Sequence, residues 1–439
     1  MTPQDTASST VSSSDLIEEL RWRGLLHQVT HEPEFCAHLA GGSRRAYAGF
    51  DPTADSLTIG NFIPIKLLMH WQRAGHQPVV LLGGGTGLIG DPSGKSAERQ
   101  LMTRELVESN VASQRKIFER LLDFTGSHGA QLENNLSWLG QLSFIDVLRD
   151  VGKHFSVNAM IQRDSVRERL HNRDQGISYT EFSYMILQAY DFLHLYQKQQ
   201  VTVQMGGSDQ WGNIVSGIDL IRRASGVADA AAFALTAPLV TRSDGGKFGK
   251  TETGAVWLSP ERTSPYAFFQ FWLNTDDNDV VRYLKLFTFL SRDEITALQE
   301  AHEKDPGGRA AHRALARHMT ELLHGASERA QAEAAAQALF SGDLASLSER
   351  TLLEVFASVP SSEHDKSLLS SGLPLIELLA QTTLVKSKRE AREFLQSGSI
   401  AVNGRKVGAD DKVTTEDLLH GHSLALRRGK KNWHLTRWK

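Results

Sequence analysis

Residues 47–64 read YAGFDPTADSLTIGNFIP, and the reading of this stretch decides the fold. The apolar run at 46–50 predicts a short strand. A loop of Asp, Pro, Thr and Ser follows, and then a helix whose first turn carries Gly60, Asn61 and Pro64. Asp and Thr favour helix starts, and Pro is tolerated in a first turn, where N–H groups lack partners anyway. Over 62–71 the predicted helix is mostly apolar, with only Lys66 and His70 charged or polar, so it should be buried with its N-terminus facing a cleft. Free N–H groups and the positive end of the helix dipole suit a phosphate there. Gly60 removes a side chain where a flat ring or phosphate could approach the backbone. On this stretch alone, a loop and helix cap with no ligand reads equally well.

Working outward, PVVLL at 78–82 predicts a strand buried on both faces, as in a parallel sheet. Strand, helix and strand at this spacing make a right-handed βαβ unit, whose ligands sit outside the carboxyl ends of the strands. The next loop, GGGTGLIGDPSGKSAER at 83–99, holds two near-matches. Gly85, Gly87 and Gly90 satisfy G-x-G-x-x-G, but Asp91-Pro92-Ser93-Gly94 favours a turn where the dinucleotide fingerprint needs a helix. Residues 90–96 fall one residue short of a P-loop. The loop is either long and solvated, or carries Lys95 and Arg99 towards phosphate with Asp91 near the strand end for a ligand cation.

Further helices are predicted over 14–26, 103–124 and 144–151, with a short strand and turn over 131–138. Residues 164–170 read as a charged helical piece and 173–177 as a loop. A strong helix over 180–196 places Tyr184, Gln188 and Asp191 on one stripe, which favours a pocket wall over a half-exposed face of Lys and Glu. The strand predicted at 201–205 ends on Gly206-Gly207-Ser208-Asp209-Gln210, where Asp209 could accept from a ribose hydroxyl. A last strand is predicted at 235–241. It leads into SDGGKFGKT at 243–251, a glycine-rich loop with paired lysines that could close on a polyphosphate or be a solvated hairpin.

The length, 439 residues, allows two to four domains. No apolar run is long enough to suggest a membrane span. Residues 1–13 read as a disordered polar leader, not a signal peptide. A single cysteine, Cys36, rules out an internal disulfide and fits a reducing compartment. No His, Cys and carboxylate run has metal-ligand spacing. Residues 265–345 read as helical and 358–372 as a polar linker. Residues 373–439 carry 13 Lys and Arg against 7 Asp and Glu, so this segment is +6 and the remainder −9. Lys386, Lys388, Arg389 and Arg392 line a predicted helix there, before a short strand and hairpin over 399–407. A basic module on an acidic body reads as nucleic-acid binding, or as a soluble helical cap.

Taken together, YAGFDPTADSL, GLIGDPSGK, the Tyr184/Gln188/Asp191 helix, GGSDQWGNI and KFGKT resemble the bacterial tyrosyl-tRNA synthetases, class I aminoacyl-tRNA synthetases. The resemblance runs from about residue 14 almost to the end. It implies an α/β fold: a leader and helices (1–46), a Rossmann-like parallel-sheet catalytic domain (47–242), and a mobile lysine loop with a helical connecting domain (243–356). A linker (357–372) and a small α+β RNA-binding domain like a ribosomal protein's (373–439) would complete it. The implied activity is ATP-dependent activation of tyrosine to an adenylate, then transfer to tRNA(Tyr), by a cytoplasmic homodimer with ATP as its magnesium complex and no protein metal site.

By position, the resemblance implies that Tyr47 and Asp191 bond the substrate phenol. Asp91, Tyr184 and Gln188 would bind its amino group and Gln210 its carboxylate side. Gly207 and Asp209 would meet the ribose, with Asp51 and Gly60 also on ATP. Thr53, Lys247, Lys250 and Thr251 would surround pyrophosphate with Lys95 and Arg99 nearby, and Lys386, Lys388, Arg389 and Arg392 would face tRNA. The family's His-Ile-Gly-His is here Thr58-Ile59-Gly60-Asn61, and Ala48 offers no polar side chain for the ribose. Asn61 keeps a donor for phosphate, while Thr58 is shorter than histidine. A catalytically weak RNA-binding relative is therefore the alternative, and a nucleotide-dependent oxidoreductase rests on the glycine pattern alone.

Overall fold

The computed structural model describes residues 13–92, 101–163, 166, 167, 170, 176–227, 230–246, 248–251, 254–357, 359–429 and 432–439. The chain divides into two compact units, Met1–Arg262 with Asp276–Ala311, and Thr263–Thr275 with His312–Lys439. Residues 1–12, and most of the pieces read at 164–170 and 173–177, lie outside the described residues.

The first unit is built on a six-stranded sheet. In chain order its strands are β1 (Gln28–Val29), β2 (Arg45–Phe50), β3 (Gln77–Leu82), β4 (Gln131–Asn134), β5 (Val201–Gly207) and β6 (Phe233–Ala237). They lie in the order β1-β6-β5-β2-β3-β4, and only β1, on β6, is antiparallel. Strand order therefore reverses between β2 and β5, the switch point outside which parallel sheets hold ligands. The run at 78–82 is buried throughout, as expected of a central parallel strand.

Helices α1 (Ser13–Arg23), α2 (Glu32–Ala40), α3 (Phe62–Arg73), α4 (Arg104–Leu121), α5 (Tyr179–Gln199), α6 (Trp211–Ser225) and α7 (Val280–Phe287) belong to the same unit. α3 is entered through a 3₁₀ turn, Ile59–Asn61, and buries nearly all of 62–71, Lys66 and His70 included. Lys66 Nζ donates to the Thr288 carbonyl at 2.8 Å, and burial pushes its pKa well below the lysine range. α4 starts on the Thr103 cap, whose hydroxyl accepts from Leu106 N, but stops at Leu121. Over 144–151 a single α-turn, Phe144–Asp146, passes into a π-helical turn, Val147–Val151. The final strand lies earlier than the 235–241 read from sequence, because Pro238 lacks the N–H that a ladder needs.

In the second unit, helix Pro265–Leu273, the helical run Ala310–Ser341 broken at Gly325 (φ +86°) and helix Lys388–Gln396 accompany a five-stranded sheet. The sheet order is Arg405–Lys406, Ile400–Val402, Ser423–Arg428, Asn432–Trp438, Ser361–His364. The hairpin expected at 399–407 turns on Asn403 and Gly404, both at positive φ, as a two-residue turn between twisted strands requires. Residues 361–364, expected in a linker, instead form a strand parallel to Asn432–Trp438. Its half-exposed SSEH sequence has the polar composition of a linker, so only the pairing distinguishes it.

Candidate active site

A cleft of about 690 Å³ opens at the carboxyl ends of β2 and β5. Thirteen of the residues expected there line it: Tyr47, Asp51, Thr53, Thr58, Gly60, Asn61, Asp91, Tyr184, Gln188, Asp191, Gly207, Asp209 and Gln210. They come from the ends of two strands, the α3 entrance, the loop after β3 and one face of α5. Lys250 is exposed and not on its wall; with Thr251 it forms a two-residue strand paired with Gly254–Ala255. Gly246 and Phe248 of the same loop do reach the lining. Lys95, Arg99 and Lys247 lie outside the described residues.

At the deep end, Asp191 is fixed by two donors the sequence reading missed. Trp138 Nε1 donates to Oδ1 at 2.7 Å, and Asn135 Nδ2 donates to Oδ2 at 2.8 Å. Asn135 is itself oriented by Gly85 N, which donates to its Oδ1 at 2.7 Å. Burial pushes Asp191 up to about 7, against the two donors and with a smaller push from Asp51. Tyr47 is fully buried with its ring 5.4 Å from Phe192, and its hydroxyl has no hydrogen-bond partner. Burial, then the Asp191 charge, raises that phenol well above its usual value. Gln204, the strand partner of Tyr47 across β2 and β5, also lines the cleft with its Oε1 unpartnered. Polar residues following a strand, as in ENNLSW, were the available signal for Asn135 and Trp138.

A second group of acceptors gathers at mid-cleft. Tyr184 donates its hydroxyl to Asp51 Oδ2 at 2.8 Å, and Thr86 donates to Asp51 Oδ1 at 2.7 Å. Gln210 Nε2 donates to Asp91 Oδ2 at 2.8 Å, while Gln188 Nε2 donates to Gln210 Oε1 at 3.3 Å. These bonds leave the Tyr184 oxygen and the unpartnered, buried Gln188 Oε1 facing the cleft beside Asp91. Burial, reinforced by Asp91, raises Asp209 above the usual carboxylate value. Such a wall suits a cation with several N–H groups.

Near the surface, Asn61 Oδ1 accepts from both Thr58 N at 3.0 Å and Thr58 Oγ1 at 2.8 Å. The Thr58 hydroxyl proton is thus spent within the turn, and the Asn61 amide N–H groups are the donors left for a ligand. The glycines after β3 have a packing role. A Cβ on Gly83 would lie 2.2 Å from Asp51 Oδ1, and one on Gly87 would lie 2.9 Å from Pro52 Cδ. Residues 90–92 form no helix, so among the described residues the dinucleotide pattern finds no structural counterpart. In the second unit Lys386, Lys388, Arg389 and Arg392 are all exposed, with Lys388 paired to Glu377 and Arg389 to Glu393.

The family described as tRNA synthetases class I (W and Y) matches residues 40–341, and the tyrosine–tRNA ligase SYY-like C-terminal domain matches residues 351–436. The chain is 51% identical over 428 residues to a tyrosine–tRNA ligase of Geobacillus kaustophilus, covering 97% of this chain and 100% of that one. It is 48% identical over 431 residues to the tyrosine–tRNA ligase of Aliivibrio salmonicida, covering 98% and 100%. A C-terminally truncated mitochondrial tyrosyl-tRNA synthetase of Aspergillus nidulans superposes with a TM-score of 0.67 at 32% identity, over 74% of this chain and 94% of that one. Likeness to ligases across both the catalytic and the C-terminal regions does not favour an RNA-binding relative without catalysis. A largely parallel sheet with its switch point at a polar cleft, and sequence identity of about half along almost the whole length, lead to one assignment: the chain belongs to the class I tyrosine–tRNA ligases.

Proposed function

We propose that the cleft seats L-tyrosine lengthwise, with its phenol between Tyr47 and Asp191. One observation carries this reading: a buried Tyr47 hydroxyl without a partner, beside a carboxylate already held by Asn135 and Trp138. A ligand hydroxyl satisfies both, accepting from Tyr47 and donating to Asp191. Phenylalanine would leave the Tyr47 hydroxyl unpaired, a loss of about 1–3 kcal/mol for a buried group, and would give Asp191 no donor beyond Asn135 and Trp138. The ammonium sits among Asp91, the Tyr184 oxygen and Gln188 Oε1, with Gln210 towards the carboxylate. Gly207 and Asp209 meet the ATP ribose, and Asp51 and Gly60 border the nucleotide.

ATP enters as its magnesium complex. A tyrosine carboxylate oxygen attacks the α-phosphorus, the bond to the bridging oxygen breaks, and pyrophosphate leaves. No protein nucleophile is needed, so positioning and charge stabilisation supply the rate. Thr53, Lys247, Lys250 and Thr251 stabilise the departing charge with Lys95 and Arg99, and Asn61, oriented by Thr58, donates to phosphate. A hydroxyl of the tRNA's terminal adenosine then attacks the tyrosyl carbonyl and AMP leaves.

Residues 373–439 hold tRNA(Tyr) through Lys386, Lys388, Arg389 and Arg392. The chain acts as a homodimer, a reading supported by Phe144, Ile145, Val157 and Tyr179, which are 57–67% exposed in one stretch of the first unit. We place it in the cytoplasm; among the described residues no helix is long and apolar enough to cross a membrane. The deciding experiment is ATP–pyrophosphate exchange with each of the twenty amino acids. Exchange with tyrosine alone is expected, and none with tyrosine at saturating ATP would reject the reading.

A further inference from the structure

The lysine loop is held at two places by the same helix. Asp279, just before α7 and 2% exposed, accepts through Oδ2 from Ser243 N at 2.9 Å and from the Ser243 hydroxyl at 3.1 Å. Its Oδ1 accepts from Arg282 at 2.6 Å, and Arg282 also donates to the Thr241 carbonyl. Tyr283 donates to that carbonyl too, at 3.3 Å. Five residues beyond Ser243, the Phe248 ring stacks on Phe287 at 5.1 Å and meets the edge of Tyr283 at 5.1 Å.

From Phe248 the restraint continues to the α3 entrance. Phe287 stacks on Phe62, the first residue of α3, with centroids 6.1 Å apart. Val256 N donates to the Gly249 carbonyl at 2.9 Å, and Ile59 N donates to the Val256 carbonyl at 2.9 Å. Gly249 has φ +75°, and a Cβ there would lie 2.6 Å from Ile59 Cγ2, so this close approach needs glycine. Lys250, the next residue, is thereby tied to the turn that carries Gly60 and Asn61.

We propose that Asp279 and Phe248 are positioning residues for the activation step: α7 clasps the loop at 241–243 and at 248, so that Lys250 is set relative to the departing pyrophosphate. Asp279 is not among the residues that line the cleft, so its effect is routed through Lys250. It rests on the role given to Lys250 above. A buried carboxylate bonded to backbone and side chain of one loop residue fixes that residue's place more firmly than solvent-facing pairs do.

The test is a double-mutant cycle on the full-length enzyme, read by tyrosine-dependent ATP–pyrophosphate exchange. Asp279→Ala should lower kcat about 10- to 100-fold, the scale of a misplacement near 1 Å. The KM for tyrosine should stay within about twofold, as expected when transition-state contacts alone are lost. In a Lys250→Ala background the same substitution should cost less than about twofold, because its effect is routed through that lysine. A full, multiplicative loss in that background, or a matching rise in the tyrosine KM, overturns the clasp. Should Asp279→Ala fail to fold, Phe248→Leu, an apolar exchange, runs the same cycle with the same expected outcome. If Lys250→Ala alone leaves exchange intact, the role of Lys250 fails and the clasp with it; impaired exchange without coupling removes the clasp only.

Discussion

Replacing Trp138 by Phe removes one donor from Asp191 and keeps most of the apolar packing against His194, whose ring lies 4.3 Å away. A hydrogen bond to a charged group is worth about 1.5–3 kcal/mol. At 1.36 kcal/mol per tenfold, losing it strengthens the hold of Asp191 on its proton about 10- to 150-fold. Asp191 already titrates at about 7, so it is mostly ionised at pH 7.5 and mostly protonated there in the variant. If only the ionised form accepts the phenol proton, the tyrosine KM rises about 4- to 40-fold at pH 7.5 and only about 1.4- to 6-fold at pH 8.5. Steady-state exchange at several pH values measures this directly. A KM defect of equal size at both pH values would show that Trp138 acts by shape, and no defect would remove its bond to Asp191 from the recognition of tyrosine.

Lys250→Ala should slow activation severely while leaving the tyrosine KM nearly unchanged; equal damage to both in exchange kinetics would deny its pairing with pyrophosphate. Asp191→Ala should weaken tyrosine binding and narrow the preference over phenylalanine, and unchanged selectivity in competition assays would take Asp191 out of the pocket. The raised pKa of Asp191 also has a stability consequence. The fold favours the neutral carboxyl, so its contribution is present below about pH 4, the unfolded value, and is lost as pH rises through about 7. Melting curves of the ligand-free enzyme should therefore show wild type losing ground to Asp191→Asn between pH 5 and pH 8; parallel curves would refute it. Arg389→Glu with Arg392→Glu should reduce tRNA charging at fixed enzyme while leaving exchange intact, and a matching fall in exchange would argue against a separate RNA-binding role.

Strand–helix–strand alternation and the glycines at strand ends made the first unit legible, because a parallel sheet needs unbroken apolar runs such as PVVLL and sends polar groups to its carboxyl edge. The stripe of Tyr184, Gln188 and Asp191 was legible for the same reason, since helical spacing places three polar groups on one wall. Asn135 and Trp138 escaped because their importance is relational: an Asn and a Trp after a strand are unremarkable until Asp191, more than fifty residues away, is found between them. Gln204 escaped because strand register, which sets it beside Tyr47, is not written in either strand alone. The polar strand Ser361–His364 was hidden by its composition, and Pro238 shortened the last strand of the sheet.

The turn that replaces the family's two histidines shows how local geometry can divide one task between two side chains. Thr58 cannot serve phosphate directly while its hydroxyl and backbone N–H both donate to Asn61 Oδ1. Those two bonds, however, set which way the Asn61 amide faces: with its oxygen occupied, its N–H groups are what the cleft sees. A neutral amide replaces a ring that can carry charge, and one donor replaces two. A missing bond to developing charge costs about 1.5–3 kcal/mol, or roughly 10- to 150-fold in rate. Pre-orienting the remaining donor recovers part of that, because no reorganisation is left for the transition state. On the proposed seating of tyrosine and ATP, the sequence departure would bear on the rate of activation, while the choice of amino acid would stay with Tyr47 and Asp191 at the other end of the cleft.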